Sequence, residues 1–252
     1  MSERTIVTRA TAIYLLQAVL LPALAAVAAD VSPPDAKSSP AALDAQGNAV
    51  SLPLPPASLA RLIETGNVAF EFYDAAVTKR TFAGETRFTF NYSYDTRIRW
   101  KRVRQQGRDA IQISVRYQNI ALQRTHRILL PQTLLGPTLF ERSLTLHEFD
   151  HVAISCDERL PAALEAMLTD RNTTMVRKLD EFKDESGGSP SADELSRISR
   201  RLVQEATDRV FNDFVALVSI RYRELDRVSD SGLKPLTAED RQRIVDSPLV
   251  EP

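Results

Sequence analysis

Hydrophobic and polar residues alternate along the middle of the chain, from about residue 66 to residue 131. Aromatic residues alternate with Thr, Asn and Ser over residues 88–94, and Ile, Val and Tyr alternate with polar residues over 111–117. A period of two is the signature of a β-strand, because successive side chains point to opposite faces of a sheet. The segment QQGRD at 105–109 predicts a turn, so the flanking runs are expected to form a hairpin. The pattern predicts a small antiparallel sheet with one apolar face.

After residue 131 the apolar residues recur at steps of three and four, which is the spacing of one helix face. Between 138 and 169 the apolar positions are Leu146, Phe149, Ala153, Cys156, Leu160, Ala163 and Met167. Pro161 is expected either to kink this helix or to mark the start of a second one. Beyond a Gly/Ser/Pro break at 186–191, another helical run presents Leu195, Ile198, Leu202, Ala206, Val210, Phe214 and Leu217. A sheet followed by a layer of helices that covers it predicts an α+β fold.

The chain begins with a short basic segment and a long apolar one. Arg4 and Arg9 precede the run ATAIYLLQAVLLPALAAVAA, which ends in small residues. This pattern predicts a secretory signal peptide over residues 1–29, with cleavage after Ala29. A single membrane anchor is the alternative, because the apolar run nears the length of a short membrane span, but Pro22 and the alanines favour a cleaved segment. The expected location is periplasmic or secreted, with no stable membrane insertion after cleavage.

The rest of the chain divides by composition. Residues 30–57 are rich in Pro, Ala, Asp and Ser without a sustained period, which predicts a flexible linker. Residues 58–232 carry the strand and helix patterns, and a chain of 252 residues is long enough for them to bury a substantial core as one domain. Residues 233–252 follow as a C-terminal tail.

Charge and cysteine content exclude several classes of protein. The 32 basic and 33 acidic residues nearly cancel and do not cluster, which argues against nucleic acid as a partner. The single cysteine, Cys156, cannot form an internal disulfide. It falls within the apolar helix pattern, so a buried and inert thiol is favoured. A cysteine hydrolase that pairs Cys156 with His151 is disfavoured, because five residues along a helix separate them by about 140°.

The segment HEFDH, residues 147–151, holds two of the three histidines in the chain. On a helix, positions four apart differ by about 40° in rotation and roughly 6 Å in rise, so His147 and His151 project side by side. A catalytic zinc site uses three protein ligands and one open position for water, and Glu148 is placed to take the proton of that water. This H-E-x-x-H arrangement of metallopeptidases predicts Zn²⁺ as the cofactor. The alternative is a pair of hydrogen-bonded histidines with no metal.

The motif leaves the third ligand open. His126 is either a ligand that reaches the helix from the sheet or a partly exposed surface residue. Asp157 stands ten positions after His147, as in one large group of such proteases, but no glycine turns the chain at position 154. Glu158 returns to the correct helix face about 10 Å too far along the axis. The remaining candidates are carboxylates of the later helix, each of which has an alternative reading as a solvated charge: Glu205, Asp208, Asp213 and Asp226.

The order of these features resembles a bacterial family of secreted zinc-dependent proteases that was long classed as a domain of unknown function. ILLP at 128–131 closes the strand region, HEFDH lies on a helix, and the final helix ends in ELDRVSDSG at 224–232, which is similar to a Tyr-Asp-Arg-x-Thr-x-His-Gly signature. The similarity covers roughly residues 66–232. It implies an α+β domain in which a small antiparallel sheet packs against a zincin-like active-site helix and a long C-terminal helix. It also implies that His147 and His151 bind zinc and that Glu148 is the base.

The chain departs from the family pattern at specific positions. Asp150 stands where the family often has Gly, Leu225 replaces the signature tyrosine, and Ser231 replaces its histidine. Asp226 and Gly232 remain, together with the arginine between them. Without the closing histidine, Asp226 is the predicted third ligand.

Two functions follow from these features as hypotheses. The first is a secreted or periplasmic zinc metallopeptidase that activates water to hydrolyse a peptide bond in a peptide or protein substrate. The second is a non-catalytic envelope protein, either a pseudoprotease or a binding module, that keeps a degraded metal site. The lost signature histidine motivates the second hypothesis.

Overall fold

The computed structural model describes residues 4–16, 40–78, 83–172, 174–182 and 189–247. The strands are β1 (Arg4–Leu16), β2 (Ala42–Leu43), β3 (Val68–Tyr73), β4 (Glu85–Gln105), β5 (Arg108–Pro131) and β6 (Thr174–Lys178). The helices are α1 (Ala57–Gly66), α2 (Ser143–Ser155), α3 (Leu160–Asn172), α4 (Ala192–Ser229) and α5 (Ala238–Asp246). The structure is therefore a mixture of helices and one sheet with a long C-terminal helix, as the α+β prediction stated.

The sheet has the strand order β1-β4-β5-β3-β2, with β6 paired to β5. The predicted turn between β4 and β5 is confirmed: Gln106 and Gly107 have φ angles of 50° and 77°, as a two-residue hairpin turn requires. The prediction of a purely antiparallel sheet is wrong. Strand β3 runs parallel to β5, and β2 runs parallel to β3. Helix α1 lies between β2 and β3 in the chain, and such a crossover returns the chain in the same direction.

The chain forms two compact units. The first unit consists of Met1–Ile13, Asn91–Gln123 and Glu158–Leu217. The second unit consists of Tyr14–Phe90, Arg124–Asp157 and Val218–Pro252. The long elements β4, β5 and α4 contribute residues to both units, and the motif HEFDH belongs to the second.

In the first unit, α4 covers the apolar face of β4 and β5, as the helix pattern predicts. Trp100 and Ile113 from the strands join Leu195 and Val203 from the helix in one buried cluster. Polar contacts reinforce this packing, since the Tyr92 hydroxyl donates to Asp208 over 2.8 Å. Burial of large apolar side chains on both elements is the main stabilising contribution here.

The core of the second unit fixes the position of α2. Phe70 of β3 and Phe149 of α2 pack with Phe140 at centroid distances of about 6 Å, from 6.0 to 6.2 Å. Val152, one turn after Phe149, is also fully buried in this cluster. Leu146 was predicted on the same face but is 39% exposed, because the buried face of α2 is rotated toward the histidines.

Two further boundaries differ from the predictions. Residues Ala42 and Leu52, from the predicted linker 30–57, are buried in the core of the second unit. The predicted tail 233–252 contains α5, whose Ile244 is buried and whose Arg241 forms two hydrogen bonds with the Asp150 carboxylate. Neither segment has apolar residues at a sustained period, so the buried side chains give no periodic signal.

Pro161 marks the start of a helix, which was one of its two predicted roles. Helix α2 ends at Ser155 and α3 begins at Leu160, so Pro161 occupies the first turn of α3. At this position a proline costs no intrahelical hydrogen bond. None of the helices in the described part of the chain is long and apolar enough to cross a membrane. Strand β1 falls within the predicted signal peptide 1–29 and pairs with β4 in the sheet, whereas the predicted cleavage point after Ala29 lies outside the described residues.

Candidate metal centre

Two imidazoles and one carboxylate meet between α2 and the last turns of α4. The Asp226 Oδ1 atom lies 3.1 Å from His147 Nε2 and 3.0 Å from His151 Nε2. Both histidines are buried, whereas 44% of the Asp226 side chain is exposed. The potential ligand atoms of the three residues all lie within 4.8 Å of one another. The structure therefore brings together the three residues predicted as ligands, with access to solvent on the Asp226 side.

Helix α2 presents the two histidines as the i, i+4 spacing predicts. Their ring centroids are 4.8 Å apart, with the ring planes at 78°. Phe149, which lies between them in sequence, points into the apolar core and holds the helix in this rotation. The Tyr222 ring of α4 packs against His151 at a centroid distance of 4.4 Å.

The donor types fit a zinc ion, and so do the two distances that involve Asp226. Two imidazole nitrogens and one carboxylate oxygen form a set of three protein ligands that is used in catalytic zinc sites. Bonds of 2.0–2.1 Å in a tetrahedron place neighbouring ligand atoms roughly 3.3 Å apart. The Asp226 Oδ1 to Nε2 distances of 3.1 and 3.0 Å are close to that value. Partial burial of Asp226 opposes its ionisation, but hydrogen bonds from His147 and His151 outweigh this effect and lower its pKa, which favours the charged ligand form.

Glu148 is buried next to this centre and is held by β4. Its side chain is 2% exposed, and its Oε2 atom accepts a hydrogen bond of 2.7 Å from the Thr86 hydroxyl. The other carboxylate oxygen lies against Gly84, where an added Cβ would come within 2.5 Å of Oε1. Burial raises the pKa of Glu148 above its usual range, which strengthens it as a proton acceptor.

His126 is neither a ligand nor a surface residue. It is 3% exposed, and its Nδ1 and Nε2 atoms hydrogen-bond the Gly66 carbonyl and the Ser155 hydroxyl. The Gly66 oxygen can only accept, so Nδ1 carries the proton and Nε2 accepts from Ser155. Ser155 in turn lies 2.9 Å from the Tyr222 hydroxyl. This chain of contacts ties α1, α2 and α4 together behind the metal centre.

His126 is expected to make the stability of the protein depend on pH. Burial lowers the pKa of His126 from 6.5 to about 4, so between these values the unfolded chain binds a proton that the folded chain does not. The contribution of His126 to the free energy of unfolding is about 3 kcal/mol. It is fully present above pH 6.5 and is lost as the pH falls toward 4. Urea unfolding of the metal-free protein measures the free energy of unfolding at pH values between 4 and 6.5. As the pH falls, this free energy should decrease more steeply for the wild type than for His126→Asn. Parallel curves for the two proteins would contradict this origin.

Among the described residues, none of the other predicted carboxylates belongs to the group of potential ligands at the centre. Asp157 forms a buried ion pair with Arg221, at 3.2 Å between Oδ2 and NH1. Asp208 accepts the hydrogen bond from Tyr92, and Glu205 lies 3.7 Å from the guanidinium of Arg201 on an exposed face. The remaining candidates, Glu158 and Asp213, belong to the first unit, as do Glu205 and Asp208.

The single cysteine lacks the environment of a nucleophile. Cys156 is partly buried at the end of α2, and burial raises the pKa of its thiol. A raised pKa disfavours the reactive thiolate. This agrees with the prediction of an unreactive cysteine.

Three residues at the centre were not singled out by sequence reasoning: Thr86, Ser229 and Tyr222. Each contacts a residue of the HEFDH motif across 60 or more positions of sequence, as the 62-residue separation of Thr86 and Glu148 illustrates. Ser229 matches the threonine position of the ELDRVSDSG resemblance, and this was the available signal for it. Thr86 and Tyr222 lie in ordinary strand and helix patterns that carry no such signal.

Comparison with protein-family models finds no match to this chain, and neither the curated proteins nor the solved structures contain a match to it. The resemblance to secreted zinc-dependent proteases therefore stays a prediction. The geometry of His147, His151 and Asp226 carries the functional argument.

Proposed function

We propose that this protein is a zinc-dependent metallopeptidase, in which His147, His151 and Asp226 hold the metal and Glu148 is the general base. The observation that carries the proposal is the convergence of His147 Nε2 and His151 Nε2 on Asp226 Oδ1, at 3.1 and 3.0 Å. Two buried imidazoles with a carboxylate between them supply the donor set that zinc enzymes use. The H-E-x-x-H spacing adds a buried carboxylate one position after the first ligand.

The proposed chemistry is hydrolysis of a peptide bond. When bound, zinc would supply a Lewis acid that polarises the peptide carbonyl and lowers the pKa of a water molecule. Glu148 accepts a proton from the attacking water and delivers it to the departing amine nitrogen, so the products are a carboxylic acid and an amine. The Thr86 hydroxyl donates a hydrogen bond to one carboxylate oxygen of Glu148, and the other oxygen lies close to Gly84. These two contacts fix the orientation of the base. The exposed side of Asp226 is the open approach for a peptide or protein substrate.

Metal content is the direct test of the ligand set. The purified full chain, supplied with zinc and dialysed, is expected to retain about one zinc ion per molecule by elemental analysis. His147→Ala and His151→Ala should each abolish this retention, because two remaining ligands hold zinc weakly. Glu205→Ala is the matched control, since it removes a carboxylate from an exposed face of the same long helix that carries Asp226. A folded wild type that retains no zinc would sink the proposal.

The alternative is a non-catalytic protein that keeps the metal site. Ser231, which stands at the histidine of the family signature, is exposed. The His151 Nδ1 atom is buried and has no hydrogen-bond partner among the described residues. Both features would suit a site whose catalytic constraints have relaxed. Zinc retention without any Glu148-dependent hydrolysis of a peptide library would favour this alternative.

A further inference from the structure

We infer that Ser229 and Gly232 are positioning residues for His147, holding its imidazole so that the Nε2 atom faces the metal position. This inference rests on the proposed zinc site and extends it to the turn that follows α4. Ser229 is 1% exposed, and its Oγ atom lies 3.2 Å from His147 Nδ1. Residues that bond the free nitrogen of a histidine ligand fix both its tautomer and its ring orientation.

Zinc binding at Nε2 would set the direction of this contact, because it decides which ring nitrogen keeps the proton. A serine hydroxyl has one hydrogen to donate and two lone pairs to accept with. Ser229 donates to the Asp226 carbonyl at 3.4 Å and accepts from the Gly232 amide at 3.2 Å. When zinc occupies Nε2 in place of its proton, the neutral imidazole keeps its one ring proton on Nδ1. The remaining lone pair of Ser229 can then accept this Nδ1 proton.

The turn after α4 holds Gly232 against the face of the same imidazole. Asp230, Ser231 and Gly232 have φ angles of 54°, 53° and 85°, so three consecutive residues are left-handed. The Ser231 amide donates to the Asp226 carbonyl at 2.8 Å, which closes the turn. A Cβ atom at position 232 would lie 3.0 Å from His147 Cγ and 3.1 Å from Cδ2. Only glycine combines this φ angle with so close an approach.

The arrangement is specific to one of the two histidines. His147 is held by a hydrogen bond to Ser229 on its Nδ1 side and by the Gly232 backbone on its face. His151 instead packs on the Tyr222 ring and has no Nδ1 partner among the described residues. Non-glycine residues in the left-handed region cost free energy and persist where the surrounding structure requires them. Orienting His147 is what this turn accomplishes at the centre.

The test is the zinc affinity of Ser229→Ala, measured by competition with a chromophoric chelator. We expect zinc to bind roughly 10 to 100 times more weakly than to the wild type, which is the usual loss when such a supporting contact is removed. Ser229→Thr keeps the hydroxyl and should restore most of the affinity. Ser231→Ala is the matched control, because it removes an exposed hydroxyl from the same turn. Thermal unfolding of the metal-free variants checks that they fold.

A second measurement separates orientation from general loss of structure. Proton NMR of the zinc-loaded wild type should show a His147 Nδ1 proton that exchanges slowly with water, and Ser229→Ala should lose this signal while His151 resonances stay in place. A folded Ser229→Ala protein that binds zinc within about twofold of the wild type and keeps the signal would overturn this inference alone. A wild type that binds no zinc overturns the proposed function and this inference with it.

Discussion

Replacing Glu148 by Gln is expected to lower peptide hydrolysis by a factor of roughly 100 to 10,000, while zinc content stays unchanged. The amide has the shape of the carboxylate and can still accept the hydrogen bond from Thr86. It cannot take a proton from water. Glu148 is 2% exposed and its pKa is raised by burial, so the wild-type carboxylate is a stronger base than a solvated one. Initial rates on a mixed peptide library, with zinc content measured on the same samples, give the result.

Glu141→Gln is the matched control for this variant. Glu141 is exposed in the short 3-10 helix Leu139–Glu141 just before α2, so the same chemical change occurs away from the centre. Its rate should equal that of the wild type. If Glu148→Gln stayed within about tenfold of the wild type, the base would have to be another group. If both variants and the wild type were inactive with zinc bound, the non-catalytic alternative would gain support.

Removing the Arg221 side chain charge is expected to destabilise the fold by roughly 3 to 5 kcal/mol. Arg221 and Asp157 form an ion pair in which each side chain is 5% exposed, and Arg221 also donates to the Ser247 carbonyl at 2.7 Å. Arg221→Met keeps the volume of the side chain but removes the guanidinium that pairs with the buried Asp157 carboxylate. Urea unfolding of the metal-free protein at neutral pH gives the free energy difference.

The matched control uses a second ion pair on the same helix. Arg227 pairs with Glu224 at 2.7 Å, but its side chain is 67% exposed. Arg227→Met should therefore change the free energy of unfolding by less than about 1 kcal/mol. The double variant Arg221→Met with Asp157→Leu removes both buried charges. It should recover most of the free energy of unfolding that Arg221→Met alone loses. Equal effects of Arg221→Met and Arg227→Met would show that burial does not set the difference.

Local patterns were sufficient for the elements with long regular periods. The alternation over residues 88–94 and 111–117 lies within β4 and β5, and the helical run after residue 191 is α4. Helix α1 and strand β2 were missed, because ten and two residues respectively carry too few buried positions for a period to show. The missed helix is also why the parallel pairing of β2 with β3 was not anticipated.

The candidate site divides in the same way between local and long-range information. His147, Glu148 and His151 were identified because helix geometry alone places an i, i+4 pair on one side. His126 was misread as a surface residue, because its burial depends on Gly66 and Ser155, which are 60 and 29 residues away in the sequence. A strand residue between charged neighbours gives no local sign of such partners.

The sequence by itself determined the α+β class, the hairpin turn at Gln106 and Gly107, and the spacing of the two histidines, because these depend on residues within a few positions of one another. Only the tertiary structure decided which carboxylate meets the histidines, since Asp226 is 75 residues beyond His151 and several carboxylates had equivalent local patterns. It also decided the support of His147 by Ser229 and Gly232. Those contacts depend on the left-handed turn of three residues that follows α4. Such a turn is imposed by tertiary packing rather than by the backbone preferences of its residues.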